Sequence, residues 1–270
     1  MTRPLESNAS PADATRYSAM ALIALGLAAG YLSGLFGVGG GIIVVPALMM
    51  LGFSQRLAAG TSVTAILPTA VVGAISYALS GNVDWIAGAL LAVGVVGGAQ
   101  LGTYLLARIP RGPLFWSFIG FLAVTVVSLW IVVPQRDDVI ELTPLTGIAL
   151  CLVGVVTGVL SGLLGVGGGL VVVPVLIFFF GASDLVAKGT SLLMMVPGSL
   201  SATVGNARRR NIDVRAAAFV GITACAASPL GLLTATAITP FWSNVALSVL
   251  LAAVAVQLLL KHLRASRAAG

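Results

Sequence analysis

Two glycine clusters carry the chemistry open to this chain. Residues 33–46 read SGLFGVGGGIIVVP and residues 161–174 read SGLLGVGGGLVVVP. Both lie in uncharged apolar stretches, and each precedes an apolar run that begins near Ile42 or Leu170. Glycine leaves the backbone amides at the start of such a helix uncovered. The bare N–H groups and the positive end of the helix dipole then attract an anion. Gly39, Gly40 and Gly41 in the first cluster and Gly167, Gly168 and Gly169 in the second are therefore candidate substrate-binding residues. The plainer reading is a tight turn between packed helices, which needs glycine too. Duplication favours function, because a repeated, glycine-broken apolar segment is the sequence pointer to the site of a two-repeat transporter.

A second pair of motifs follows the first. Gly60-Thr61-Ser62 and Gly189-Thr190-Ser191 bring hydroxyl groups into apolar surroundings. They are candidate substrate ligands, with bonding back to a helix carbonyl four residues earlier as the bland alternative. Pro46, Pro68, Pro174 and Pro197 sit within or just beyond these motifs and are candidate hinges, since proline frees backbone groups inside a helix. No carboxylate is expected deep in a span, where proton- or cation-coupled carriers commonly place one. Lys188 reads as a loop lysine, and Arg208-Arg209-Arg210 as a topology signal that also draws anions.

Other chemistries are poorly supported. A dinucleotide loop needs a preceding strand and an acidic residue about 20 positions on, whereas the next carboxylate after Gly41 is Asp84. Lys188 and Ser191 could be imagined as a Ser–Lys pair, but no HExxH or paired intramembrane aspartate accompanies them. No enzyme activity, catalytic residue, metal site or cofactor is expected. Cys151 and Cys225 lie in apolar runs without a CxxC or nearby His, and read as small buried hydrophobes.

The elements that position these motifs must be membrane helices. The chain is 59% hydrophobic and 8% charged, against about 25% charged in soluble domains. Its pI near 10 follows from the Lys and Arg that membrane proteins keep on the cytoplasmic side, so nucleic acid is not an expected partner. Lys, Arg, Asp and Glu are absent from 17–55, 57–83, 85–107, 112–135, 142–183, 189–207 and 216–260. At roughly 20 residues per crossing, these stretches hold about ten segments. A ten-segment path leaves only Arg136 and Lys188 opposite the other basic residues. An eight-crossing path, in which 38–52 and 166–180 enter and leave on one side, separates them less sharply.

The repeat extends past its opening block. Gly26, Gly30 and Gly34 match Gly154, Gly158 and Gly162, as GxxxG ladders that let helices approach closely. Pro68 matches Pro197, and Asn82-Val83-Asp84 matches Asn211-Ile212-Asp213. Five segments per repeat is an odd number, so the second repeat enters from the opposite face. The expected architecture is an all-α membrane protein of about ten transmembrane segments, some short or broken, in two inverted-topology repeats. Its expected divisions are a disordered cytoplasmic tail over 1–16, a first repeat over 17–135 and a linker over 136–142. A second repeat over 143–262 and a basic cytoplasmic tail over 263–270 complete it.

The paired block, followed by Ala58-Ala59-Gly60-Thr61-Ser62 and Ala187-Lys188-Gly189-Thr190-Ser191, resembles the TauE/SafE sulfite exporter family of membrane transporters. The resemblance runs from about residue 20 to 260. It implies a multi-pass inner-membrane protein, with both termini cytoplasmic under the ten-segment path. It also implies movement of small sulfur-containing anions such as sulfite, sulfoacetate or related organosulfonates. The expected function is secondary transport of such an anion, outward and by alternating access. The alternative is an anion channel or passive facilitator for small oxyanions or carboxylates. The expected partners are that small anion and membrane lipid, with a homo-oligomer left open.

Overall fold

The computed structural model describes residues 18–108 and 143–267, together with 116, 119, 120, 123, 124, 126, 127 and 130 between them. The expected tail over 1–16, the linker over 136–142 and the end of the basic tail at 268–270 lie outside the described residues, as does most of the stretch 112–135. Among the described residues the chain is wholly helical. The first half contains α1 (Ala19–Phe36), α2 (Gly41–Met50), α3 (Gln55–Leu79) and α4 (Trp85–Arg108). The second contains α5 (Pro144–Leu164), α6 (Gly169–Phe180), α7 (Asp184–Arg208), α8 (Val214–Ala237) and α9 (Pro240–Arg267). Helix is the expected outcome for so apolar a chain, because in hydrocarbon each backbone polar group must find its partner within its own segment or a closed barrel.

Six of these helices, α1, α3, α4, α5, α7 and α8, are long and apolar enough to cross a membrane. Helices α2 and α6 have only 10 and 12 residues. At 1.5 Å per residue they are about half the length needed to span a core of about 30 Å. Among the described residues the apolar helices thus divide into six long ones and shorter ones that include α2 and α6. The motifs set the short ones: α2 and α6 begin where the glycines end, and both start after a left-handed glycine, Gly40 or Gly168. Helix α2 starts against Ala29 in the middle of α1. Its Leu48 shares a cluster with Leu22 near the start of α1, so α2 runs back along α1.

The glycine ladders pack helices. Gly26, Gly30 and Gly34 of α1 rest on backbone carbonyls of Val220, Ala224 and Ser228 in α8. Gly154, Gly158 and Gly162 of α5 rest in the same way on Leu91, Val95 and Ala99 in α4. Each repeat therefore lends its first helix to the last long helix of a four-element block, and α1 pairs across the repeats with α8 as α5 pairs with α4.

Between these pairs, α3 and α7 form the centre. Gly60, near the start of α3, meets Asn206 near the end of α7, while Gly189, near the start of α7, meets Tyr77 near the end of α3. The two helices are therefore antiparallel.

The ladder contacts are tight enough to test. A Cβ on Gly158 would lie 2.8 Å from the Ala99 amide nitrogen and 2.9 Å from the Val95 Cα. Gly158→Leu must separate α5 from α4, at a cost in the upper part of the roughly 1–3 kcal/mol range for overpacking. Thermal unfolding in detergent is expected to show a lowered midpoint for Gly158→Leu. Gly97→Leu, at a position with open space around its Cα, is expected to leave the midpoint near that of the wild type.

Candidate functional site

The glycine clusters form two loops of the same shape. Gly39 and Gly40 have φ of 80° and 71°, and Gly167 and Gly168 have φ of 93° and 83°. Consecutive left-handed residues are open to glycine at little cost and strained for other residues. They carry the chain from the end of α1 or α5 into the short helix that follows. The next bonded amides after the turn are those of Ile43 and Val44, both donating to the Gly40 carbonyl, and of Val171 and Val172, both donating to Gly168. The amides of Val38, Gly39, Gly40, Gly41 and Ile42 have no acceptor among the described residues, and the same holds for Val166 through Leu170. All of these residues are buried.

The loops meet. A Cβ on Gly41 would lie 2.8 Å from the Gly165 carbonyl oxygen, and one on Gly169 would lie closer still to the Gly37 carbonyl. Each short helix thus begins against the base of the other repeat's loop, Gly41 at Gly165 and Val166 and Gly169 at Gly37 and Val38. A buried unsatisfied N–H costs about 1–3 kcal/mol.

Each loop is held by the other repeat. Ser62 Oγ donates to the Gly165 carbonyl at 2.8 Å, and Ser191 Oγ donates to the Gly37 carbonyl at 2.9 Å. The threonines complete the exchange: Thr61 Oγ1 accepts from the Asp213 amide and Thr190 Oγ1 from the Asp84 amide, both at 2.9 Å. Asp213 and Asp84 in turn cap α8 and α4, accepting from the amides of Ala216 and Ala87 at 2.9 Å. The glycine of each GTS lets a carbonyl approach, that of Asn211 at Gly60 and that of Asn82 at Gly189. Thr61, Ser62, Thr190 and Ser191 are 0% exposed. Each GTS segment is therefore a clasp on the N-x-D turn and glycine loop of the opposite repeat, and its hydroxyls are occupied by protein groups.

The space between the loops is filled. Gly39 and Gly167 both contact the Met195 methyl, and Ile66 touches Gly39, Gly41 and Gly167. Ile66 and Met195 occupy corresponding places in the repeats, 129 residues apart. Pro68 and Pro197 lie in α3 and α7 two residues beyond them, and Pro46 and Pro174 lie inside α2 and α6. Of the residues singled out from the sequence, the glycines are brought together at the centre. The hydroxyls brace them from outside, and the prolines lie one in each inner helix. Among the described residues no group of His, Cys, Asp and Glu is placed to hold a metal ion.

Comparison with known proteins identifies the scaffold. The family model described as sulfite exporter TauE/SafE matches residues 2–140 and 150–270. The chain belongs to the TauE/SafE family of membrane transporters. It is 29% identical to the probable membrane transporter protein YunE of Bacillus subtilis over 68% of this chain and 77% of that protein. It is 31% identical to a probable membrane transporter protein of Xylella fastidiosa over 74% of this chain and 78% of the relative. A relative from Methanocaldococcus jannaschii, the probable membrane transporter protein MJ0441, is 28% identical over 57% of this chain and 60% of its own length. No solved structure matches the chain.

One feature of this TauE/SafE protein breaks its internal symmetry. Lys188, expected in a loop, lies in the second turn of α7 and is 3% exposed; Asp184, one turn earlier, is 2% exposed. Lys188 Nζ is 3.3 Å from Asp184 Oδ2 and donates to Ser243 Oγ of α9 at 2.9 Å. A Cβ on Gly37 would lie 2.6 Å from Lys188 Cα, so the backbone of Lys188 stands beside the first glycine loop, while its ammonium is held at Asp184 and Ser243. The corresponding residues in α3 are Gln55 and Ala59. The expectation of a loop lysine is corrected here: Lys188 is helical and buried, paired with Asp184 at the first position of α7.

Two outcomes follow from these contacts. Removing the lysine alone breaks a buried ion pair, so Lys188→Met is expected to cost about 3–5 kcal/mol. The double variant Lys188→Met with Asp184→Leu should recover most of it, as read by chemical denaturation in detergent. Thr190→Val and Thr61→Val each leave one amide without its acceptor, Asp84 or Asp213, and should each cost about 1–3 kcal/mol. Equal losses in the two variants would reflect the equivalence of the two clasps, and no loss in either would contradict these bonds.

Proposed function

We propose that this protein is a secondary transporter of small sulfur-containing oxyanions, sulfite, sulfoacetate or a related organosulfonate, and that it moves them outward by alternating access. The observation that carries the reading is the pair of buried amide runs, Val38 to Ile42 and Val166 to Leu170, converging without acceptors. A three-oxygen anionic head supplies several acceptors at once, at a place where two helix dipoles add positive potential. The Ser62 and Ser191 bonds strengthen this polarity by covering the Gly165 and Gly37 carbonyls, whose lone pairs would repel an anion. Membership of the TauE/SafE family and the apolar surroundings favour a sulfonate over a metal cation or a nucleotide.

In this reading the two repeats insert with opposite orientations, which the antiparallel α3 and α7 support. The termini are cytoplasmic and the membrane is the inner one, in keeping with the distribution of Lys and Arg. The short helices α2 and α6 are half-spans whose N-termini meet near the middle of the bilayer, with Pro68 and Pro197 as hinges. The GTS hydroxyls act on the anion indirectly, by fixing the loops. The alternative, a channel or passive facilitator, requires a continuous path, and the packing of Ile66 and Met195 between the loops weighs against it.

A thermal-shift screen of detergent-purified protein tests the proposal. Sulfite and sulfoacetate are expected to raise the unfolding midpoint in a saturable way, thiosulfate and sulfate less, and acetate not at all. Equal shifts for every anion, or none for sulfite, would overturn the sulfonate reading. In proteoliposomes, sulfite flux that saturates with concentration supports a carrier, and flux that rises linearly supports the channel.

A further inference from the structure

We infer that Met195 is the size-selecting gate of the anion site, with Ile66 as the fixed surface against which it closes. The inference rests on the anion reading above and adds to it the residue that decides which anions enter. One methyl group, Met195 Cε, contacts Gly39 and Gly167 together. It therefore occupies the place where an anion would touch both amide runs. Met195 is 0% exposed and Ile66 is 2% exposed, so neither is a surface side chain that happens to lean inward.

The two partners differ in how they can yield. Methionine is unbranched, with three rotatable bonds and a polarizable sulfur, and clears a space without backbone movement. Isoleucine is branched at Cβ and restricted to few side-chain conformers. Although Ile66 and Met195 are equivalent in the repeat, only Met195 is built to move.

Three further features lie at this level of the helices. Pro197 follows Met195 by two residues and removes a backbone donor from α7, as Pro68 does from α3 after Ile66. Ser199 Oγ donates to the Met195 carbonyl at 2.6 Å, and Thr69 Oγ1 donates to the Ala65 carbonyl at 3.2 Å, so side chains take part in the bonding around both breaks. An open apolar groove of about 650 Å³, rimmed by the exposed Leu79 and Trp85, is lined by Leu193, Val196 and Pro197 of the same turn of α7, and Met195 is not part of its lining. The turn that carries Met195 thus has a proline break within it. An anion reaching the amides displaces the methyl group, and a larger sulfonate needs more displacement than Met195 allows.

The test is competitive flux of sulfite and benzenesulfonate in proteoliposomes. Met195→Ala is expected to raise the ratio of benzenesulfonate to sulfite flux by about tenfold or more, in the range that a few methylenes give in a pocket. Met195→Val, which removes the same reach with less loss of packing, should move the ratio the same way and serves where the alanine variant is too unstable to purify. Met195→Phe should lower flux of both anions by about tenfold while still binding the detergent column and eluting as a folded species. Ratios for Ala and Val within about twofold of the wild type would overturn the gate and leave the amide site standing. A wild type that moves neither anion would overturn the anion reading itself, and the gate with it.

Discussion

Everything at the centre of this protein depends on an exchange of hydrogen bonds between its halves. The serine of each GTS segment holds a carbonyl at the base of the opposite glycine loop, Ser62 at Gly165 and Ser191 at Gly37. The neighbouring threonines hold the turns that begin α8 and α4. Neither repeat completes its own loop. The loop of the first is shaped by α7 and the loop of the second by α3. Lys188, Ser191 and Met195 of α7 all touch the first loop, and Ser191 and Met195 touch the second as well. Ala59 and Ser62 of α3 touch the second loop, and Ile66 touches both.

The second consequence is electrostatic. Short helices beginning at buried glycines would be costly features in hydrocarbon unless their amides found acceptors. In this protein the cost is concentrated at one place, where the starts of α2 and α6 each contact the opposite glycine loop. Strain and unmet polarity tend to be retained where function uses them. The ion pair of Asp184 and Lys188, present in the second repeat only, is net neutral and ties α7 to α9 through Ser243. The two repeats are therefore alike in their clasps and unlike in this buried pair.

Much of this was legible in the sequence. The duplicated glycine block, the GTS segments and the repeated N-x-D turns were visible as matched residues, and so were the half-length segments that α2 and α6 became. The ladder of Gly26, Gly30 and Gly34 read correctly as packing, because small residues at intervals of four have that use on any close helix pair. What could not be read was which half each motif serves. The Ser62–Gly165 and Ser191–Gly37 bonds join residues 103 and 154 positions apart, and an identical motif in each half is equally consistent with self-contained loops. Met195 gave no signal, since a methionine in an apolar helix is ordinary. The Asp184–Lys188 pair did give one: opposite charges four apart on a helix face are a recognised pair, and their absence from the first repeat marked them as specific to the second.

The central claim is that the amides of the two glycine loops form one oxyanion site. Selenite has the same charge type and pyramidal shape as sulfite and scatters anomalously. A crystal of the protein grown with selenite therefore tests the claim most directly. The account predicts an anomalous peak within hydrogen-bonding distance of amides from both Gly39–Gly41 and Gly167–Gly169, with the Met195 methyl displaced. A peak elsewhere in the protein, with Met195 still packed between closed loops, would contradict it.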